Sequence, residues 1–208
     1  QEFLKRIGLM DKVPTELPEI ARPILPRRWS DLVTVTVSFG HGISVSPLAA
    51  AMAASSVMNG GILIPPTFFP RSEEQARLIG KRVLKQSTSD QMRYLMRLNV
   101  LARGGSGKSA DIPGYRIGGK TGTAEKVENG RYSNNKRFNA FVATFPIDDP
   151  QYLVLVVLDE PNPERPGLPA TAGMNAGPTA GNIIGRIAPM LNVEPRFDDV
   201  DVPLMAAY

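Results

Sequence analysis

The stretch from Gly114 to Lys126, GYRIGGKTGTAEK, admits two folds that exclude one another. Gly114, Gly119, Lys120 and Thr121 fit the phosphate-cradling pattern G-x-x-x-x-G-K-[ST]. That pattern needs a buried strand ahead of the first glycine and a helix beginning at the lysine, whose free N–H groups hold the phosphates. Read as an extended strand, the same residues project Lys120 from a sheet and set the hydroxyls of Thr121 and Thr123 on either side of Gly122.

The neighbouring residues favour the strand. KSADIP, ahead of Gly114, is polar and ends in proline. Lys120 is followed by Gly122, and AEKVE leaves room for at most a stub of helix before Asn129-Gly130. Tyr115-Arg116-Ile117 alternates apolar and polar, as a strand does. The phosphate-loop reading keeps one further support. The apolar run LVLVVL ends in Asp159-Glu160, as a magnesium-binding and water-activating pair would. The plainer reading is a strand that runs into the proline-rich loop PNPERPG. A nucleotide hydrolase built on Gly114–Thr121 with Asp159-Glu160 stays as the alternative.

On a strand, the same residues suit acyl transfer. A lysine beside a cavity places a cation near the acidic end of a peptide and supports proton transfer to and from a nucleophile. The Thr121 and Thr123 hydroxyls can bind a carboxylate. Gly122 removes a side chain that would keep a substrate backbone off the strand edge. A backbone N–H there can face a developing oxyanion.

Around this segment the pattern predicts a mixed chain. Residues 11–30, with Pro14, Pro18, Pro23 and Pro26, read as an irregular connector, although a polyproline ligand would share that composition. TVTVSFGHG has a β-prone start and a glycine-rich end. Ser46 as N-cap, Pro47 in the first turn and Asn59-Gly60-Gly61 as a stop frame a helix that is apolar nearly all round, hence buried on several sides. A second helix is predicted over 88–102, opened by a Thr88/Gln91 capping box. Strands follow at 115–124, 137–145 and 151–158, the last two joined by PIDDP as a hairpin, and a small-residue helix at 178–192 precedes a polar tail.

Composition narrows the chemistry. With no cysteine, thiol catalysis, thiolate metal sites and disulfides are excluded. The single histidine, His41, cannot build a multi-histidine metal site and reads as a local hydrogen-bonding residue in a glycine loop. A net charge of +4, with basic residues scattered and only Arg27-Arg28 beside Trp29, argues against a nucleic-acid surface. The strand-like run 153–158 is far too short to cross a bilayer. QEFLKRIGL starts with helical spacing and no initiator Met, which suggests a piece of a longer polypeptide.

Four stretches carry a more specific likeness: SFGHGISVSPLAAAMAASSVMNGG, STSDQMRYLMRLNV, GSGKSADIPGYRIGGKTGTAEK and FNAFVATFPIDDPQYLVLVVLDEP. In order, over about residues 38 to 161, they resemble the class B penicillin-binding proteins, especially the division-type peptidoglycan D,D-transpeptidases. The resemblance implies an α/β fold with an antiparallel sheet flanked by helices, the penicillin-binding/β-lactamase-like fold, incomplete in this chain. It implies a serine acylated by peptidoglycan stem peptides and by β-lactams, with no metal and no cofactor. By that pattern Lys120 is the active-site lysine, Thr121 and Thr123 hold the substrate carboxylate across Gly122, and the Thr123 N–H lies in the oxyanion hole.

The family's two earlier motifs, Ser-x-x-Lys and Ser-x-Asn, do not precede this region. Their only matches overlap at Ser133-Asn134-Asn135-Lys136, after the Lys-Thr-Gly strand and in what reads as a polar inter-strand loop. The expectation is therefore the C-terminal part of a transpeptidase domain over residues 1–208, with the nucleophile-bearing part absent and the fragment inactive alone. Implied partners are the remainder of the same domain, a glycan synthase and division proteins, at the periplasmic face of the inner membrane through an upstream anchor. Apolar surface on the helix over 47–59 and on the hairpin would favour self-association or a companion polypeptide. A non-catalytic penicillin-recognising module, or a class A β-lactamase or carboxypeptidase, would share the Lys-Thr-Gly strand.

Overall fold

A computed structural model describes residues 1–128, 131–163 and 170–197, in two units that divide in sequence between Ser89 and Asp90. The first unit holds helices α1 (Glu2–Arg6), α2 (Asp31–Ser38) and α3 (Pro47–Met58), then β1 (Ile62–Leu63), α4 (Glu73–Ile79) and β2 (Lys81–Arg82). β1 and β2 pair antiparallel, Ile62 opposite Arg82. Residues 11–30 are irregular, as predicted, apart from a bridge between Ile24 and Ser44.

α3 forms as its punctuation requires. The Ser46 hydroxyl accepts from Ala49 N, and Pro47 occupies the first turn. At the other end Gly60 and Gly61 take φ of 91° and 90°, and a Cβ on Gly61 would lie 2.3 Å from the Leu84 carbonyl oxygen. Only glycine fits both demands. Ala49, Met52, Ala53, Ser56 and Met58 are buried, and within the helix only Pro47 is exposed. The apolar surface expected on α3 is thus covered. The exposed apolar side chains of this unit lie elsewhere, including Leu32, Val35 and Phe39 along and just after α2.

α2 corrects the β-prone reading of TVTV. Ser30 caps it by accepting from Val33 N, and the hydroxyls of Thr34, Thr36 and Ser38 donate back to the carbonyls of Ser30, Val33 and Val35. Those back-bonds satisfy polar side chains on an exposed helix and outweigh a modest β preference. The Trp29 indole N–H donates to Thr34 Oγ1 (2.8 Å), and the His41 ring meets Phe39 edge-on.

α5 (Gln86–Leu101) leads into the second unit and begins two residues before the predicted start, so Thr88 and Gln91 lie inside it rather than capping it. A 3₁₀ turn (Lys108–Ala110) follows, then strands β3 (Gly118–Glu128), β4 (Arg131–Phe145) and β5 (Tyr152–Asp159), and α6 (Ala176–Ile187). The sheet is antiparallel in the order β3-β4-β5. α6 ends before Pro189, which opens a 3₁₀ turn to Leu191, so the predicted helix to 192 is split.

Phe141, Phe145, Ile117, Ile184 and Ala180 are fully buried in the core of this unit. The small residues of α6 make the contact possible: a Cβ on Gly181 would lie 2.8 Å from the Ala110 carbonyl oxygen. Among the described residues no helix is long and apolar enough to cross a membrane.

The start of the β3 segment needs correction. Residues 115–117 are not strand, because Arg116 adopts φ 47°. Its buried guanidinium pairs with Asp148 (Nε–Oδ1 3.1 Å), and Arg196 reaches the other carboxylate oxygen. Burial pushes the Asp148 carboxyl up, but the Arg196 hydrogen bond and the charges of Arg116 and Arg196 outweigh it and hold the group below its ordinary value. A carboxylate lowered in this way stabilises the fold above its unfolded pKa, near 4, and that contribution is lost as pH falls through the lower folded value. Unfolding midpoints measured from pH 6 to pH 2 are expected to fall over this window, and Asp148→Asn to flatten the fall. An unchanged slope in the variant would remove Asp148 from the account.

Candidate active site

β3 is an edge strand. It pairs with β4 on one side, in unbroken register from Gly118↔Thr144 to Glu125↔Arg137, and its other edge is open among the described residues. Two carbonyls fix which residues face outward. Gly119 O accepts from Asn99 Nδ2 (2.8 Å), and Thr121 O accepts from Lys120 Nζ (2.9 Å). In an antiparallel strand one residue's N–H and C=O point the same way, and successive residues alternate. Gly119, Thr121 and Thr123 therefore turn their backbone groups away from β4, while Lys120 and Gly122 turn theirs into the ladder.

Side chains complete the edge. The Lys120 ammonium is exposed and curls over the rim, donating also to Thr121 Oγ1 (3.3 Å). Ser106 Oγ lies 2.8 Å from Thr121 Oγ1. Thr123 Oγ1 accepts from Ala172 N (3.1 Å), so its own proton stays available to a ligand. A buried Asn139 on β4 donates to Ala170 O (2.9 Å) and Asn175 Oδ1 (3.1 Å), which holds the segment 170–175 beside Thr123. A Cβ on Gly122 would meet nothing closer than the Ala140 Cβ at 3.8 Å. The fold itself does not require that glycine.

The two glycines before Lys120 have a different reason. A Cβ on Gly119 would lie 2.6 Å from the Phe141 ring and 2.7 Å from the Val142 carbonyl oxygen, and one on Gly118 would lie 2.6 Å from Ile147. They serve packing, not a phosphate. Gly119→Ala is expected to destabilise the protein by about 2 kcal/mol, through overpacking against a buried ring and fixed backbone. Urea denaturation checks this, and a loss under about 0.5 kcal/mol would contradict it.

The phosphate-loop alternative fails on the same strand. Lys120 sits two residues inside a strand and not at the start of a helix, so no fan of free N–H groups surrounds its ammonium. Asp159 and Glu160 are not poised for magnesium either. Lys126 Nζ binds both, at 2.9 Å and 2.8 Å, and the hydrogen bonds it donates to Glu160 and then Asp159 raise the lysine pKa. Among the described residues no group of three or more His, Cys, Asp or Glu could hold a metal ion.

Ser133 was expected in an inter-strand loop, but β3 and β4 run on as a ribbon beyond the predicted ends and place it within β4. The ladder is irregular there, jumping from Glu125↔Arg137 to Val127↔Tyr132. A serine nucleophile with its lysine one turn along needs a helix, and this segment is extended. The expected turn at Asn129-Gly130 lies outside the described residues, as does the tail from residue 198. Asn99 and Ser106 were not anticipated as part of the site, and nothing in RLNVLARGGSG distinguishes them from ordinary helix-end and loop residues.

The description "Penicillin binding protein transpeptidase domain" matches residues 1–185. The chain belongs to this family. As a penicillin-binding protein transpeptidase chain, it is 41% identical to the probable peptidoglycan D,D-transpeptidase FtsI of Caulobacter vibrioides, over 97% of the chain and 35% of that protein. It is 34% identical to stage V sporulation protein D of Bacillus subtilis, over 96% and 32% respectively. It spans only about a third of the length of these curated relatives. The apo transpeptidase domain of Burkholderia pseudomallei penicillin-binding protein 3 superposes with a TM-score of 0.83 at 31% identity, covering 94% of this chain and 58% of that one. Penicillin-binding protein 3 of Mycobacterium tuberculosis in complex with ampicillin gives 0.82 at 25% identity, covering 98% and 48%.

Proposed function

We propose that this chain is the C-terminal portion of a peptidoglycan D,D-transpeptidase domain and forms one wall of its active site, the nucleophilic serine lying outside these residues. In the reaction, the serine oxygen attacks a stem-peptide carbonyl and the terminal residue departs. The amine of a neighbouring stem peptide then attacks the acyl-enzyme, forming the crosslink. β-Lactams acylate the same serine. The family membership and the relatives named as D,D-transpeptidases support this reading.

The observation that carries it is the outward edge from Lys120 to Thr123. The Lys120 ammonium stands where it can draw a substrate carboxylate and stabilise or relay a proton at the serine. The Thr121 and Thr123 hydroxyls receive the carboxylate. The Thr123 N–H, turned away from β4, faces the carbonyl oxygen as it becomes an oxyanion. Gly122 keeps the rim low for the substrate backbone. No cofactor is needed for these steps. The whole protein acts in the cell envelope, anchored upstream on the periplasmic side of the inner membrane, in company with a glycan synthase and division proteins.

The test is covalent labelling by a fluorescent penicillin. The 208-residue chain alone is expected to remain unlabelled, and the complete polypeptide to be labelled at a serine outside it. Labelling of Ser133, or no labelling of the complete polypeptide, would overturn the proposal.

A further inference from the structure

The Gly105-Ser106-Gly107 loop has no role in the roles assigned above, yet it is built onto the strand edge. It wraps the end of α5: Gly107 N donates to Asn99 O (3.3 Å), and Ser106 N donates to Asn99 Oδ1 (3.2 Å). The Asn99 amide is fixed from its other end by donating to Gly119 O (2.8 Å). The wrap leaves no room for side chains on its flanks. A Cβ on Gly105 would lie 2.0 Å from Asn99 O, and one on Gly107 2.9 Å from Asn99 Nδ2. From the far side, Gly173 closes to where its own Cβ would lie 2.8 Å from Ser106 O. Ser106 is thereby held with its hydroxyl exposed, 2.8 Å from Thr121 Oγ1 and 3.2 Å from Asn99 Oδ1.

Proton counting gives this arrangement a purpose. Each hydroxyl has one proton to donate, and a carboxylate has none. In the chain as it stands, Ser106 O–H donates to Asn99 Oδ1, which leaves Ser106 Oγ to accept from Thr121 O–H. A carboxylate arriving at Thr121 claims the Thr121 proton. The contact between the two hydroxyls then survives only if Ser106 reverses and donates to Thr121. Asn99 Oδ1 tolerates the reversal, because it keeps the Ser106 backbone N–H. No polar group is left unpaired in either arrangement.

We infer that Ser106, held by Asn99, is a positioning residue whose hydroxyl reverses on carboxylate binding and aims the Thr121 proton at the ligand. This rests on the transpeptidase reading and goes beyond it, since it assigns carboxylate discrimination to a loop residue outside the Lys-Thr-Gly strand. Ser106 touches no reacting atom. It acts through Thr121, and its effect depends on the ligand's charge.

The test compares second-order acylation rate constants for the free acid and the methyl ester of one penicillin, in the complete polypeptide. Ser106→Ala is expected to slow the free acid about tenfold, as for a lost hydrogen bond acting on a charged group, and the ester less than about twofold. Ser106→Thr, which keeps the hydroxyl, is expected to restore the acid rate, with Tm of both variants within about 2 °C of the parent. A loss equal for acid and ester, or no loss, would overturn the inference while leaving the transpeptidase reading intact. Failure of the unsubstituted protein to be acylated by either compound would overturn that reading, and this inference with it.

Discussion

Replacing Lys120 by alanine in the complete polypeptide is expected to slow acylation by penicillin about a thousandfold, the middle of the range for a positioned proton-transfer group. The fold should hardly notice. Lys120 is exposed, and its ammonium donates only to Thr121 O and Oγ1 among the described residues, so truncation leaves no cavity and strands no buried charge. The loss is therefore expected in the rate of acyl-enzyme formation, with Tm within about 2 °C. Arginine is not expected to rescue it. A guanidinium stays protonated and presents a planar fork, where an ammonium can exchange a proton from a single point. Stopped-flow acylation with a chromogenic β-lactam separates these outcomes, and a rate within about fivefold of the parent would show that Lys120 lies away from the chemistry.

The second large effect isolates a backbone N–H, which no ordinary side-chain change removes. Thr123→Ala deletes the hydroxyl and keeps the N–H, while Thr123→Pro deletes both. Proline is tolerated on an edge strand where the N–H points away from the ladder, and the outward carbonyls of Gly119 and Thr121 place Thr123 in that phase. The proline variant is therefore expected to fold, with acylation slower than in the alanine variant by a further factor of about a hundred to a thousand, the cost of one oxyanion donor. Gly122→Pro supplies the contrast. Its N–H faces β4, so proline there is expected to disrupt the sheet itself. If the proline and alanine variants at 123 acylate equally fast, no oxyanion donor resides at that position.

What the sequence shows of this fold depends on how local each signal is. α3 is punctuated at both ends by residues whose constraints are intrinsic, a hydroxyl cap and two glycines at positive φ, and its limits were readable. The β4–β5 hairpin is marked by two apolar runs around PIDDP, and the register Phe145↔Tyr152 closes it. α2 was misread because TVTV carries a β-strand propensity, and the back-bonds that make it helical appear only once the helix exists. α4 went unassigned although Ser72 and Gln75 form a capping box over Glu73 and Glu74, a signal present in SEEQ. The long β3–β4 ribbon was cut short because its outer part is polar, and polar residues signal a strand only through their partners.

The site divides along the same line. As candidates, Lys120, Thr121, Gly122 and Thr123 can be named from one short motif. Their phase on the strand was not, since it depends on which carbonyls Asn99 and Lys120 occupy. Asn99 and Ser106 were invisible, being seven residues apart across a glycine loop whose path is fixed by close backbone contacts. Asp159-Glu160 looked like a metal pair for the converse reason: the lysine that neutralises both lies 33 and 34 positions away.

The most direct measurement is a crystal structure of the complete polypeptide acylated by a penicillin. The acyl carbonyl oxygen is expected about 3 Å from the Thr123 nitrogen, with the ligand laid along the open edge of β3 and its carboxylate against Thr121. An acyl group attached elsewhere, with that edge empty and the Thr123 N–H turned toward solvent, would contradict the account.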